Sequence, residues 1–60
     1  MLFIRNNTKE EYFHLAIASM QDDLTNSLFV LYCPNDDEHN IFIMEEGMFN
    51  RTFTLISPKV

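Results

Sequence analysis

The fold is decided by the apolar stretch Leu28-Phe29-Val30-Leu31-Tyr32-Cys33, which Pro34 follows directly. A run of this length, rich in aromatic and branched side chains, is typical of a β-strand. Proline ends the strand because it has no N–H to donate to a central ladder. Neighbouring strand residues point to opposite faces of a sheet. One face of this strand carries Leu28, Val30 and Tyr32, and the other carries Phe29, Leu31 and Cys33.

Working outward from this strand, the sequence predicts three more strands and one helix. The strands are expected at Leu2–Arg5, Ile41–Met44 and Phe49–Ile56. A helix is expected from Thr8 to about Gln21, because Thr8 and Glu11 match a T-x-x-E capping box. Apolar residues then recur three and four positions apart. They are Tyr12, Phe13, Ala16, Ile17 and Met20.

These elements predict a single α+β domain over residues 1–60, in the order β-α-β-β-β. The last three strands are expected to form an antiparallel meander. The first strand joins the same sheet, and the helix covers one face. Glu45-Glu46-Gly47 is interpreted as a hairpin turn in which Gly47 adopts a left-handed conformation.

The predicted sheet has more apolar faces than one helix can cover. A sheet covered on one side alternates apolar and polar residues, and three of the four strands do not. Leaving four or five large side chains in water forgoes on the order of 5–10 kcal/mol, comparable to the stability of a small domain. We therefore expect a homodimer joined through the sheet, with Phe29, Leu31, Phe42 and Met44 at the interface. The alternative is that the meander curls and the C-terminal tail covers the second face.

Length and cysteine content also favour association. A chain of 60 residues has a marginal core, and small domains compensate with disulfides, a metal or oligomerisation. The single cysteine, Cys33, excludes an intramolecular disulfide and favours a reducing, cytoplasmic location. No zinc-ligand spacing occurs, so no metal or cofactor is expected. Neither a signal peptide nor a membrane span is predicted.

The charge balance restricts the classes of partner. Nine acidic residues against four basic ones give a formal net charge of −5. Nucleic acids and anionic membranes attract proteins of the opposite charge, so neither is an expected ligand. A basic protein partner is favoured by long-range attraction. The acidic residues most suited to this role lie in two predicted turns, and they are Asp36, Asp37, Glu38, Glu45 and Glu46.

Three further residues are candidates for a site. Arg51 falls on the same strand row as Phe49 and Phe53, where a lone arginine must pair, extend to solvent or bind a partner. Cys33 and His39 are close enough in sequence to suggest a nucleophile and its base. Nothing in the sequence supplies an oxyanion hole or a third orienting group, so Cys33 is interpreted as a small buried hydrophobe.

Three classes of function remain open at this stage. The first is a protein-interaction module or inhibitor, acting as a homo-oligomer on a larger protein. Bacteriophage and mobile-element proteins that bind host proteins are one population of such small chains. The second is a protein that sequesters an anionic metabolite or nucleotide, with Arg5 or Arg51 at the oligomer interface. The third is an enzyme using Cys33 or His39, and of the three we expect the first.

Overall fold

A computed structural model describes residues 1–21 and 26–57 of the chain. It contains an antiparallel sheet of five strands and one helix, which confirms the α+β class within that part. The elements in chain order are β1 (Leu2–Arg5), β2 (Glu11–Gln21), β3 (Asn26–Pro34), β4 (Phe42–Glu45), α1 (Glu46–Thr52) and β5 (Phe53–Ser57). The alternative in which the C-terminal tail covers the second face involves residues 58–60, which lie outside the described residues. No helix of the described part is long and apolar enough to cross a membrane.

The strands lie in the order β4-β3-β2-β1-β5. The first four strands therefore form a meander, and β5 joins the sheet at the far edge beside β1. The longest ladder joins β2 to β3 from Tyr12↔Pro34 to Gln21↔Asn26. It extends well past β1, which pairs with β2 only through Glu11–Phe13. We call this extension past β1, residues 16–21 and 26–31, the β2–β3 arm; β4 pairs with β3 along residues 29–31 of the arm.

The short helix forces the sheet to curl. Four inter-strand steps of about 4.8 Å would separate β4 from β5 by about 19 Å in a flat sheet. The seven residues of α1 rise only about 10.5 Å along the helix axis. Because α1 leads directly from β4 into β5, the two sheet edges must bend towards each other. We call the side that α1 bridges the helix-side face, and the opposite side the outer face.

The core lies between α1 and the helix-side face. Its buried cluster consists of Tyr12, Val30, Tyr32, Phe49 and Phe53. Phe49 is the buried residue of α1, at 1 % exposure. Its ring stacks on Phe53 with centroids 4.4 Å apart and meets Phe3 edge-on at 5.0 Å. The same ring also lies 5.4 Å from that of Tyr32 on β3, so one helical side chain contacts strands from both halves of the sheet.

Asn6 ties the β1–β2 turn to the end of the helix. Its backbone N–H donates to the carbonyl oxygen of Thr52 at 2.9 Å, and its Nδ2 donates to that of Arg51 at 3.2 Å. Its Oδ1 accepts from the hydroxyl of Thr54 at 2.6 Å. The last carbonyls of a helix have no partner within the helix. Asn6 donates a hydrogen bond to two of these carbonyl oxygens, and these bonds fix where α1 ends and β5 begins.

The helix predicted from Thr8 to Gln21 is wrong, because this segment is a turn followed by β2. A β-bulge at Leu15 changes the strand's alternation, so that Tyr12 and Ile17 lie on the same face. Apolar positions separated by a bulge imitate the three-and-four spacing of a helix. Thr8 does not cap a helix either, since its hydroxyl accepts from the backbone N–H of Glu10 within the turn, at 3.4 Å.

The predicted hairpin turn at Glu45-Glu46-Gly47 and the long last strand are also wrong. Glu45 caps α1, which occupies the first four residues of the expected Phe49–Ile56 strand. Gly47 has no positive φ angle. A Cβ there would lie 3.2 Å from a Glu45 carboxylate oxygen, so the missing side chain leaves room for the capping carboxylate. The last strand pairs with β1, whereas the prediction placed it beside the third strand.

Replacing Phe49 tests whether the helix holds the curled sheet. Phe49→Ala is expected to lower the free energy of unfolding by about 3–5 kcal/mol, because it empties the centre of the core. A domain of 60 residues has only about 3–9 kcal/mol in total, so the variant would be largely unfolded. Urea unfolding followed by circular dichroism measures the change. The neighbouring control Met48→Ala, at a half-exposed position, is expected to change stability by less than about 1 kcal/mol.

Candidate functional site

The outer face carries rows of apolar side chains that cross the sheet. Residues paired directly across antiparallel strands share a face, so the ladders define these rows. One row is Leu2, Phe13 and Cys33. The next is Ala16, Leu31 and Ile43, and a third joins Ala18 to Phe29 and ends at Glu45. The middle of this face therefore contains no charged residue.

α1 contacts β3, β4 and β5 from the helix-side face, so it does not cover the outer face. On the outer face Cys33 is buried, and Phe13, Phe29 and Leu31 are half-buried. Ile43 is 59 % exposed, and Met20, at the tip of the same face, is 60 % exposed. Large neighbouring apolar side chains that remain in water are rare on soluble monomers and mark interaction surfaces. Charged side chains lie at the perimeter, where Glu11 and Glu45 end two of the strand pairings.

The four residues predicted for the interface do not lie on one face. Phe29 and Leu31 are on the outer face, as the strand alternation predicted. Phe42 and Met44 pair with Tyr32 and Val30, so they lie on the helix-side face. Met44 packs against the core cluster. The β4 residue on the outer face is Ile43. Phe13 of β2 also lies on this face, although the sequence predicts a helix for that segment.

The acidic residues fall into two separate groups. Asp36 and Asp37 lie beside Glu10 and Glu11, and together they line a depression of about 690 Å³ that also includes Lys9 and Tyr12. We call this depression the acidic groove. Asn35 joins its two sides, since its Nδ2 donates to a carboxylate oxygen of Glu11 at 2.9 Å. Glu45 and Glu46 lie at the opposite end of β4 and do not line it.

Glu45 has a structural role at the start of α1. Its carboxylate accepts the backbone N–H of Gly47 at 2.9 Å and that of Met48 at 3.1 Å. These two hydrogen bonds lower the pKa of Glu45 below the ordinary glutamate value, and the nearby Arg51 charge lowers it further. Arg51 is exposed in the last turn of α1 and does not lie on a buried strand row. The nearby Glu45 carboxylate partly neutralises the Arg51 charge, which weakens the attraction of Arg51 for an anionic ligand.

Arg5 lies on the helix-side face, where its guanidinium group packs against aromatic rings. The guanidinium carbon is 5.5 Å from the ring centroid of Tyr12 and 5.3 Å from that of Phe53. Such cation–π contacts stabilise a partly desolvated arginine. Its Nε is buried without a hydrogen-bond partner among the described residues. Neither Arg5 nor Arg51 lies on the outer face, so pairing two copies through that face would not bring these arginines together.

Cys33 and His39 do not share an environment. Cys33 is 1 % exposed, and burial raises the pKa of its thiol. The carboxylates of Glu38 and Asp37 raise that pKa further, so the thiol remains protonated at neutral pH. His39 is exposed in the β3–β4 loop. Within residues 1–21 and 26–57, no group of three or more His, Cys, Asp or Glu side chains is placed to hold a metal ion.

Comparisons with known proteins provide no relative from which to infer a role. No protein-family model, curated protein or solved structure matches this chain. The geometry of its own surfaces is therefore the basis for a functional proposal.

Alkylation of Cys33 tests whether its thiol is protected. At about pH 8, iodoacetamide is expected to modify the folded chain at least about tenfold more slowly than the urea-unfolded chain, because a buried thiol forms little thiolate. Mass spectrometry of timed samples measures both rates. Equal rates would show that Cys33 is accessible and ionised in the folded protein.

Acidification tests the Glu45 cap. A lowered pKa means that the ionised cap stabilises the fold above the unfolded pKa, and that this contribution disappears as pH falls through the folded value. Glu45→Gln is therefore expected to destabilise the protein at about pH 7 and to differ little from the wild type at about pH 3. Thermal unfolding at both pH values measures the difference. Glu46→Gln is the control, because Glu46 does not accept these two N–H groups.

Proposed function

We propose that this chain is a small protein-interaction module that works as a homodimer joined through the outer face and binds a larger protein. The single observation that carries the proposal is the apolar outer face, which α1 does not cover and on which Ile43 is 59 % exposed. It combines Phe13, Leu31 and Ile43 at its centre with acidic residues at its perimeter. Interfaces have the same arrangement, with charge depleted at the core and polar groups at the rim.

The size of the outer face suits a second copy. The five paired strands cover about 24 by 13 Å, and the β2–β3 arm adds about 10 by 20 Å. Their sum is about 500 Å² of flat area, and the protruding side chains make the accessible area larger. Standard interfaces bury about 800 Å² per partner, and weaker complexes bury less than 600 Å². A two-fold axis through the face would bring each apolar row against the same surface of the other chain.

The acidic groove supports the second part of the proposal, that the dimer binds a larger protein. Pairing centred on Ile43 and Leu31 would leave most of the groove open on each protomer, because Glu10 lies in the turn after β1 and Asp36 and Asp37 lie in the loop after β3. Four carboxylates in one depression, on a chain of net charge −5, attract basic surfaces over long range. No observation favours the anionic-ligand alternative, which required arginines at the interface.

Light scattering over a range of concentrations tests the homodimer. The wild type is expected to approach twice the 7.1 kDa mass of one chain as concentration rises. Ile43→Lys places a charge in the middle of the outer face and is expected to weaken self-association at least about tenfold, or about 1.4 kcal/mol. Its side chain is largely exposed, so the fold is expected to remain intact.

The matched control for Ile43→Lys is Leu55→Lys, at a similarly exposed position on the helix-side row of Phe3. This variant is expected to self-associate like the wild type. A wild type that stays at 7.1 kDa at every concentration would contradict the homodimer. Equal weakening by both lysines would show that added charge, and not the outer face, controls association.

A further inference from the structure

One strand edge of the sheet is open along most of its length. On one side β2 is paired with β3 from Tyr12 to Gln21. On the other side β1 pairs with β2 only at Glu11–Phe13, and the last contact is the N–H of His14 donating to the carbonyl oxygen of Met1 at 3.0 Å. On this second side, no strand of the described residues lies beside β2 from Leu15 to Gln21. We call this seven-residue stretch the β2 edge.

The β2 edge lacks the features that usually protect an open strand. Natural sheets protect such edges with lysines, prolines, very short strands or a covering element. Residues 15–21 read Leu-Ala-Ile-Ala-Ser-Met-Gln and contain no charge, proline or glycine. Leu15 is 48 % exposed and Ile17 is 51 % exposed, so apolar side chains flank the open backbone. The bulge at Leu15 is the one irregularity, and it lies at the start of the edge.

A mostly apolar cavity lies where the β2 edge begins. It has a volume of about 300 Å³ and is lined by Met1, Phe13, His14, Leu15, Cys33 and Glu38. An extended peptide that adds to a sheet edge forms main-chain hydrogen bonds, and alternate side chains enter pockets beside the edge. Because the cavity adjoins Leu15, it is positioned to receive one side chain of a peptide bound along the β2 edge. The cavity contains one acidic residue, Glu38. Its neighbour in sequence, Asp37, lines the acidic groove, so the cavity and the groove meet at the β3–β4 loop.

We propose that the β2 edge binds an extended segment of a partner protein, which adds to the sheet as an antiparallel strand in line with β1. One apolar side chain of the segment occupies the cavity beside Leu15, and the segment carries basic rather than acidic flanking residues. This inference rests on the proposed interaction function, since it names where the larger protein binds. The two surfaces share Phe13 and Cys33, but Ile43 does not line the cavity and Leu15 lies on the β2 edge, so substitutions at these two positions separate the edge site from the homodimer.

Charge and contact area favour a partner segment over a second copy at this edge. Two copies each carry a net charge of −5, and a pairing of seven residues buries little apolar surface to offset their repulsion. A basic segment gains attraction from the same charge. Its backbone also satisfies N–H and C=O groups of β2 that otherwise face water. The additional antiparallel strand continues the pairing that β1 begins.

Selection from a phage-displayed library of random 12-residue peptides, with the full chain immobilised, tests this proposal. Selected peptides are expected to share an apolar residue within an extended, acid-free stretch. A synthetic selected peptide is then bound to the chain in solution, and backbone hydrogen exchange locates its contact. Slower exchange is expected within residues 15–21, at the amides that point away from β3. Slower exchange confined to β4 or β5, the other two sheet edges, would overturn the proposal, as would a library that yields no binding peptide.

Two variants separate this site from general changes in charge. Leu15→Arg blocks the cavity and repels a basic segment, so it is expected to weaken peptide binding at least tenfold, or about 1.4 kcal/mol. Leu55→Arg adds the same charge at a similarly exposed position on β5 and is expected to change binding less than about twofold. Equal losses in the two variants would contradict a site at the cavity.

Ile43→Lys distinguishes a failure of the edge site from a failure of the homodimer. The edge proposal predicts that this variant binds the selected peptide with the affinity of the wild type, whatever its mass in solution. Loss of peptide binding together with self-association would show that the two surfaces are one site. A mass increase that Leu15→Arg abolishes and Ile43→Lys preserves would instead assign the β2 edge to a second copy.

Discussion

The fold depends on a distance constraint, namely that a helix of seven residues connects the two outermost strands of a five-stranded sheet. The sheet must curl to meet this constraint, and the space inside the curl is filled by Phe49. This ring contacts Phe3 from β1, Tyr32 from β3 and Phe53 from β5. The same curl turns the remaining apolar rows outward. The closed core and the exposed face are thus two consequences of one short connection.

Local capping determines where that connection begins and ends. Glu45 fixes the first turn of α1 by accepting two backbone N–H groups, and Asn6 fixes its end by donating to the carbonyl oxygens of Arg51 and Thr52. Both devices use residues whose sequence patterns also fit turns. Glu46 in the first turn and Arg51 in the last turn match the helix dipole, and this charge order was the available signal for a helix. It was outweighed by the alternation of Phe49, Phe53 and Leu55, which imitates a strand.

The sequence predicted best where the pattern was strictly local. The β3 strand, its two apolar faces and the positions of β1 and β4 follow from alternation and from Pro34, and the structure confirms them to within one or two residues. The β2 strand could not be predicted in this way, because the bulge at Leu15 breaks the period that defines a strand. The partner of β5 could not be predicted either, since pairing with β1 is a long-range contact that no local pattern encodes.

The candidate site was predictable to a similar degree. The excess of apolar strand faces was visible from Leu31 and Cys33, but their grouping with Phe13 and Ile43 required the ladder register. The acidic loop at Asp36 and Asp37 was visible as well. That Glu10 and Glu11 lie beside this loop was not predictable, because both residues belong to the segment for which the sequence predicts a helix. The sequence shows which side chains are charged or apolar, whereas the strand register decides which of these side chains lie next to one another.

The small core gives the open surfaces their significance. Five side chains form the buried cluster, while Leu15, Met20 and Ile43 remain about half exposed or more. In a chain of 60 residues the free energy gained by covering such residues is comparable to the net stability of the fold. A partner that covers the outer face or extends the β2 edge would therefore stabilise the folded state as it binds. Under the proposed function, folding and association are coupled, because a partner chain would cover apolar side chains that the described residues leave in water.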